Sequence, residues 1–226
     1  MLLAVASGMT VANLYYAQPL LSSLADVFHV STAAAGGLIT LTQVGYVIGM
    51  LFLVPLGDRL EKRRLITTLL TVTTLALAVA GFATSFPMLL IASLISGATS
   101  VVAQILVPFA ANLAPDHARG KIVGRVMSGL LTGILLSRTV SSLVSDLAGW
   151  PVVYLGSAVL MAILAVVLRT ALPSHAPTTT TTIPYTQVLR STLQLVRTHP
   201  ALLRRGLYQA AMLALSAPFG PPSPSS

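Results

Sequence analysis

The sequence contains no cysteine, which excludes a disulfide framework and any thiolate metal site and leaves the redox compartment unreadable. Charge is almost as scarce: 8% of the 226 residues are Asp, Glu, Lys or Arg, while 55% are apolar. Soluble domains carry roughly 25% charged residues, so a mean hydropathy of +0.87 leaves too much apolar surface for one water-soluble core. The bilayer is the solvent that fits. A formal charge of +8 would otherwise suggest nucleic acid, but that partner needs a basic face interleaved with stacking aromatics on a folded domain. Here Lys and Arg fall in short gaps between apolar runs, which argues against nucleic acid. Enzyme chemistry is missing too. His29, His117, His175 and His199 are scattered with no metal-ligand spacing, and neither a Gly-x-x-x-x-Gly-Lys-Ser/Thr loop nor a Gly-x-Ser-x-Gly elbow occurs, so neither cofactor nor metal is expected.

What the sequence does have is length in its apolar runs. A spanning helix needs about 20 mostly apolar residues. Six runs qualify: 2–24, 33–56, 66–84, 87–112, 122–144 and 151–169. The first is not a secretory signal, because no basic segment precedes it and Asn13, Tyr15, Tyr16, Gln18 and Pro19 interrupt its later part. The fold class is therefore all-α, a polytopic membrane protein of six transmembrane helices with an incomplete seventh.

The basic residues orient it, since short cytoplasmic loops are enriched in Lys and Arg. Arg59, Lys62, Arg63 and Arg64 follow the second run, Arg119, Lys121 and Arg125 the fourth, and Arg169, Arg190, Arg197, Arg204 and Arg205 the sixth. These are 12 of the 13 basic residues, and the alternate gaps hold none. Both termini are expected in the cytoplasm.

Beyond the bundle, assigned to 1–170, the composition changes. Pro173, Pro177, the threonine run 178–182 and Pro184 break helices, and 187–205 reads as an amphipathic basic segment, so 171–205 is a cytoplasmic linker. A seventh apolar run begins at Gly206 and gives way to APFGPPSPSS. That ending has too many prolines for a helix and is too polar for hydrocarbon, so 206–226 is read as an aborted seventh helix with a tail resembling out-of-frame translation.

The stretch PLGDRLEKRRL, 55–65, sets six charges in seven positions. With six helices around it and a basic loop after the sixth, it resembles the amino-terminal half of a major facilitator superfamily transporter, whose loop reads approximately Gly-x-Leu-Ala-Asp-Arg-x-Gly-Arg-Arg. Laid on 54–63, this matches at Leu56, Asp58, Arg59 and Arg63, with Lys62 as a conservative substitute and Gly57 in the small-residue place; it departs at Val54 and Glu61. ANLYYAQPLL, 12–21, and RGKIVGRVMSGLLTGILLSRTVS, 119–141, resemble bacterial efflux-type members. The resemblance implies alternating access in an inner membrane, export of a small organic solute, a coupled proton or ion, and a gating role for Asp58, Arg59 and Arg63. Physically, a tight turn lets Asp58 accept hydrogen bonds from helix N-terminal amides and pair with nearby arginine; the alternative is that the cluster only anchors topology. Helix five lacks the family's antiporter proline, since Ile134 follows Gly133, and Ser93 stands where many proton-coupled members have arginine.

Polar side chains inside spans are costly and face a cavity or another helix. Asn13, Tyr15 and Gln18 on helix one, Gln43 and Tyr46 on helix two, Gln104 on helix four and Arg138 on helix five are the candidate solute-facing groups. Tyr15 and Gln18 are three residues apart, as are Gln43 and Tyr46, so each pair shares a helix face. Interhelical hydrogen bonding is the alternative, and for Arg138 snorkelling to the interface. Pro19 should free the Tyr15 carbonyl and kink helix one. A small-residue ridge, Gly129, Gly133, Ser137, Ser141 and Ser145, with Gly120, Gly124 and Ser128 on the next row, suits close helix packing. With one half in hand, the partners expected besides lipid and solute are a missing second half or a second copy of the chain. A non-transporting remnant is the competing reading.

Overall fold

The computed structural model describes residues 1–58, 60–172 and Tyr208. Asp58 and Asp116 are described in backbone only. Apart from Ala171, Leu172 and Tyr208, the expected linker and the aborted helix lie outside the described residues, as does Arg59.

Eight α-helices follow in order: α1 Leu2–Ala12, α2 Leu21–Val27, α3 Thr32–Phe52, α4 Lys62–Gly81, α5 Phe86–Thr99, α6 Val102–Leu113, α7 Arg119–Ala148 and α8 Trp150–Ala171. All belong to the first of two compact units, Met1–Thr180. Five helical segments are long and apolar enough to cross a membrane: Thr32–Gly57, Lys62–Gly81, Phe86–Leu113, Arg119–Ala148 and Trp150–Ala171. The chain is a multi-pass membrane protein.

The first run departs from the expectation of one spanning helix. It is α1, a turn, a 3₁₀ segment Gln18–Leu20 and α2. Pro19 has no N–H to give the Tyr15 carbonyl, and its ring would crowd that oxygen in a continuous helix. The carbonyl is nonetheless not freed: it accepts the Gln18 N–H at 3.3 Å, the shorter-range bond of a tightened turn. The fourth span breaks between Thr99 and Val102. There the Thr99 and Ser100 hydroxyls donate back to the Ile95 and Ser96 carbonyls at 3.0 and 2.7 Å, a competition with the helical ladder that bends helices.

The basic groups gather at one end. Lys62 Nζ lies 5.8 Å from the Phe109 ring centroid, bringing the start of α4 to the end of α6. Arg119 Nε donates to the Ala111 carbonyl at 3.2 Å, and Arg63, Arg64 and Arg169 border one groove. At the other end Phe28 packs against Phe86 and Trp150 at centroid separations of 6.0 and 5.6 Å, joining the ends of α2, α5 and α8. A single residue, Gly149, turns α7 into α8 with φ +86 and ψ 160, a conformation essentially restricted to glycine.

In lipid the apolar effect does little to join helices, so close packing must. The α1–α7 pair shows how: a Cβ on Gly129 would land on the Ala4 carbonyl oxygen, and one on Gly133 on the Gly8 carbonyl oxygen. Further along, Ser141 Oγ donates to the Tyr16 carbonyl at 2.9 Å. The small-residue ridge of α7 thus seats the first helix. The neighbouring row does not pack: nothing lies within 4 Å of a Cβ built on Gly120 or Gly124. Between α4 and α5, Thr73 donates to Thr99 at 2.7 Å in the buried interior, near the fully buried Leu70, Leu77 and Leu89.

Candidate functional site

Four of the expected polar residues come together on one face. Gln104 Nε2 on α6 donates to the Tyr46 hydroxyl oxygen on α3 at 2.8 Å. The Arg138 guanidinium on α7 sits 5.7 Å from the centroid of the Tyr15 ring, in the turn after α1. Both tyrosines, with Leu130 and Ile134 of α7, pack on a small buried patch of Val11, Leu14 and Ala103. Four chain segments far apart in sequence therefore supply one amphipathic surface: two phenol rings, an amide, a guanidinium and an aliphatic floor. A cation over an aromatic face contributes about 0.5–1 kcal/mol at an exposed site and holds the long arginine in one direction. Arg138 is exposed and Tyr15, Tyr46 and Gln104 half-buried, so the surface is reachable from outside the bundle.

Leu130 and Ile134 escaped the sequence reading, which looked for polar groups. Their signal was present: 130, 134 and 138 are spaced by four and share one face of α7.

The other expected residues are placed differently. Gln18 is half-buried and Gln43 exposed, and neither side chain makes a hydrogen bond within the described residues. Asn13 turns inward. It lines a cavity of about 10 Å³ with Thr42, Ser93, Ser96 and Tyr154, and neither its amide nitrogen nor its amide oxygen has a protein partner. Of the charged loop, Asp58 closes a 3₁₀ segment Pro55–Asp58, and Gly57 is buried with room for no more than ordinary contact to Ile105 and Leu65. Arg63, in the first turn of α4, is half-buried and faces the groove shared with Arg64 and Arg169. Among the described residues no three His, Cys, Asp or Glu side chains converge as a metal site would require.

Two helices are left conspicuously open. Within the apolar window of each span, 22% of α3 and 17% of α7 is buried inside the protein, against 50%, 61% and 44% for the other three. The tyrosine–arginine surface lies on these two helices and their neighbours.

Comparison with known proteins agrees with this architecture. The uncharacterized transporter YgaY of Escherichia coli O157:H7 is 43% identical over 206 residues, which cover 91% of this chain and 52% of that protein. A transporter of Streptomyces coelicolor is 36% identical over 172 residues, 76% of this chain and 40% of its own length. The chain thus spans about half the length of these relatives. Among solved structures, the proton:xylose symporter XylE bound to 6-bromo-6-deoxy-D-glucose superposes with a TM-score of 0.63 at 20% identity, over 76% of this chain and 44% of XylE. The inward-open form of XylE from E. coli gives 0.58 at 19% identity, over 87% and 55%. At such identity the likeness shows the fold alone. The family profile of the Major Facilitator Superfamily matches residues 2–222. Five apolar spans behind a broken first run, a family match over nearly the whole chain and two transporter relatives lead to one assignment: the chain belongs to the Major Facilitator Superfamily.

Proposed function

We propose that this bundle is the first half of a secondary transporter that moves a small organic solute across the inner membrane by alternating access, and that Tyr15, Tyr46, Gln104 and Arg138 are its share of the solute surface. The observation that carries the reading is the convergence of these four residues, from the turn after α1 and from α3, α6 and α7, on one accessible face. Transporters of this kind place the solute between two repeats that rock against each other. The open sides of α3 and α7 supply the surface against which a second half would close, and the relatives are long enough to contain one.

On this reading the solute carries an aromatic or planar part to lie against the tyrosines and an acceptor, carboxylate or hydroxyl, for Arg138 and Gln104. Asp58, Arg59 and Arg63 hold the charged loop against the second half and release it as the halves rock. The basic end faces the cytoplasm, as do both termini, and a proton or other ion drives the cycle. Without the second half the 226 residues do not transport, because the polar face of α3 and α7 meets lipid, where each unsatisfied group costs several kcal/mol.

The test is expression of residues 1–226 alone and joined to a second six-helix half, in a host stripped of its own exporters. Membrane abundance and resistance to a panel of small organic toxicants are then compared. Resistance is expected from the joined protein only. Robust efflux from the short chain at comparable abundance would sink the proposal and require a homodimer in which two copies supply both halves.

A further inference from the structure

We propose that the groove between the start of α4 and the end of α8 binds the headgroup of an anionic phospholipid. The inference does not rest on the solute surface, which lies on α3, α6 and α7; of the residues in the transport reading the groove shares Arg63 alone, and the test below leaves Arg63 unchanged.

The groove encloses about 520 Å³ and is bordered by Arg63, Arg64, Arg169, Glu61, Thr68 and Val72, among others. Three guanidinium groups against one carboxylate leave an excess of two positive charges in a chain with very few. Among the described residues no ion pair engages any of the three arginines. The groove also lies at the N-terminus of α4, which begins at Lys62 and has no side-chain cap. The amides of that first turn and the helix dipole favour an anion, though on their own they would make no site. Thr68 is one turn beyond Arg64 on the same face of α4, and its hydroxyl has no acceptor among the described residues. Planar guanidinium forks and hydroxyl donors around one space are the chemistry that recognises a phosphate diester.

Phosphate alone does not choose between a lipid and a soluble anion; the surface below the groove does. On α4 the face continues from Val72 through Leu75 and Val79 to the C-terminal cap residue Phe82, and these last three are 61%, 43% and 67% exposed. On α8, Val166, Ile163 and Val159 are 64%, 55% and 59% exposed on the way from Arg169 toward the opposite end. Both series step by three or four residues, so each is one helix face. α4 and α8 pack on each other along their length, which sets the two strips side by side. A charged mouth at the basic end opening onto apolar strips at membrane depth has the shape of an amphiphile. A free phosphate or phosphosugar would leave those strips unused, whereas an acyl chain covers them. Basic pockets of this kind between spanning helices hold anionic headgroups in membrane proteins generally.

The experiment needs only the purified 226-residue chain. It is reconstituted with equimolar phosphatidylglycerol and phosphatidylcholine, extracted into detergent, and the retained lipid identified by native mass spectrometry. The wild-type chain is expected to retain phosphatidylglycerol in preference to phosphatidylcholine. Arg64→Gln with Arg169→Gln should weaken that retention about twenty-five-fold, from roughly fivefold for each charge near a membrane surface. Arg64→Lys with Arg169→Lys, which keeps both charges, should retain most of it. Both positions are exposed, so either pair should leave the bundle folded, and the lipid comparison on the wild-type chain stands without any variant. No preference in the wild-type chain, or an unchanged preference in the glutamine pair, would overturn the proposal. Displacement of the lipid by millimolar inorganic phosphate would overturn it too, because the site would then belong to a soluble anion.

Discussion

Gln104 on α6 and Tyr46 on α3 are 58 residues apart in sequence and joined side chain to side chain, amide nitrogen to phenol oxygen at 2.8 Å. A bond of this kind between spanning helices contributes about 0.6 kcal/mol on average and at most about 1.7. Tyr46→Phe removes the acceptor and leaves a half-buried amide, so it should lower stability by about 1 kcal/mol, and Gln104→Leu by a similar amount. The double variant should be no less stable than either single one. Unfolding curves for the four proteins measure the coupling; strictly additive losses would show that the bond contributes nothing.

Arg138 lies over the Tyr15 ring and is exposed. Because these 226 residues contain no cysteine, Arg138→Cys carries the sole thiol of this half, and with a cysteine-free second half any labelling reports that position. If the surface faces a water-filled cavity, a membrane-impermeant thiol reagent should label it in the protein joined to a second half, and a transported solute should protect it. Silence in every condition would place the side chain against lipid or packed helix.

Much of this was readable in advance, and the misses have causes. The spans, the one-sided basic residues and the ridge of Gly129 and Gly133 follow from composition and period alone, since a membrane permits few other arrangements of such runs. The break in the first run was not foreseen because Pro19 was expected to kink a helix, whereas the α-helical ladder ends already at Ala12: Asn13 keeps right-handed dihedrals, but the Leu14 and Tyr15 amides bond three residues back, to Val11 and Ala12. Which polar groups converge was only half legible. Spacing placed Tyr15 with Gln18 and Gln43 with Tyr46, yet the observed partners are Arg138 and Gln104, on other helices. Periodicity fixes a face within a helix; it says nothing about which helix that face meets.

The α1–α7 contact gives a sharper test of packing. Gly129→Val places a branched side chain against the Ala4 backbone, which cannot yield as a flexible side chain would. The expected result is a loss of more than about 2 kcal/mol or failure to accumulate, in line with overpacking. Gly124→Ala, with nothing within 4 Å, should instead be neutral or gain up to about 1 kcal/mol from helix propensity. Equal melting temperatures for the two variants would refute the close approach.

Orientation is testable by fusion. A reporter placed after Arg64 or Arg125 should read cytoplasm, and one near Asp146 the opposite side, because the basic residues of three separate loops gather at one end. Export of the first two reporters would invert the proposed topology and move the lipid groove to the other leaflet.

Asn13 and Tyr154 pose the last test. They line the same cavity of about 10 Å³, they are 7% and 5% exposed, and no protein group hydrogen-bonds the Asn13 amide or the Tyr154 hydroxyl. A buried polar group left unmatched costs about 1–3 kcal/mol. The space suffices for one water, which needs two to four polar partners, and Ser93, Ser96 and Thr42 border the cavity beside the two orphans. A water bridging the amide to the phenol would make the two residues depend on each other. Tyr154→Phe alone should then cost about 1 kcal/mol, because the amide loses its bridged partner. With Asn13→Leu already in place, a substitution of similar branched shape that removes the amide, Tyr154→Phe should cost almost nothing, since removing both polar groups together is close to neutral. Unfolding of the two singles and the double decides it. If Tyr154→Phe costs the same in both backgrounds, the residues act separately and the cavity carries no bridge.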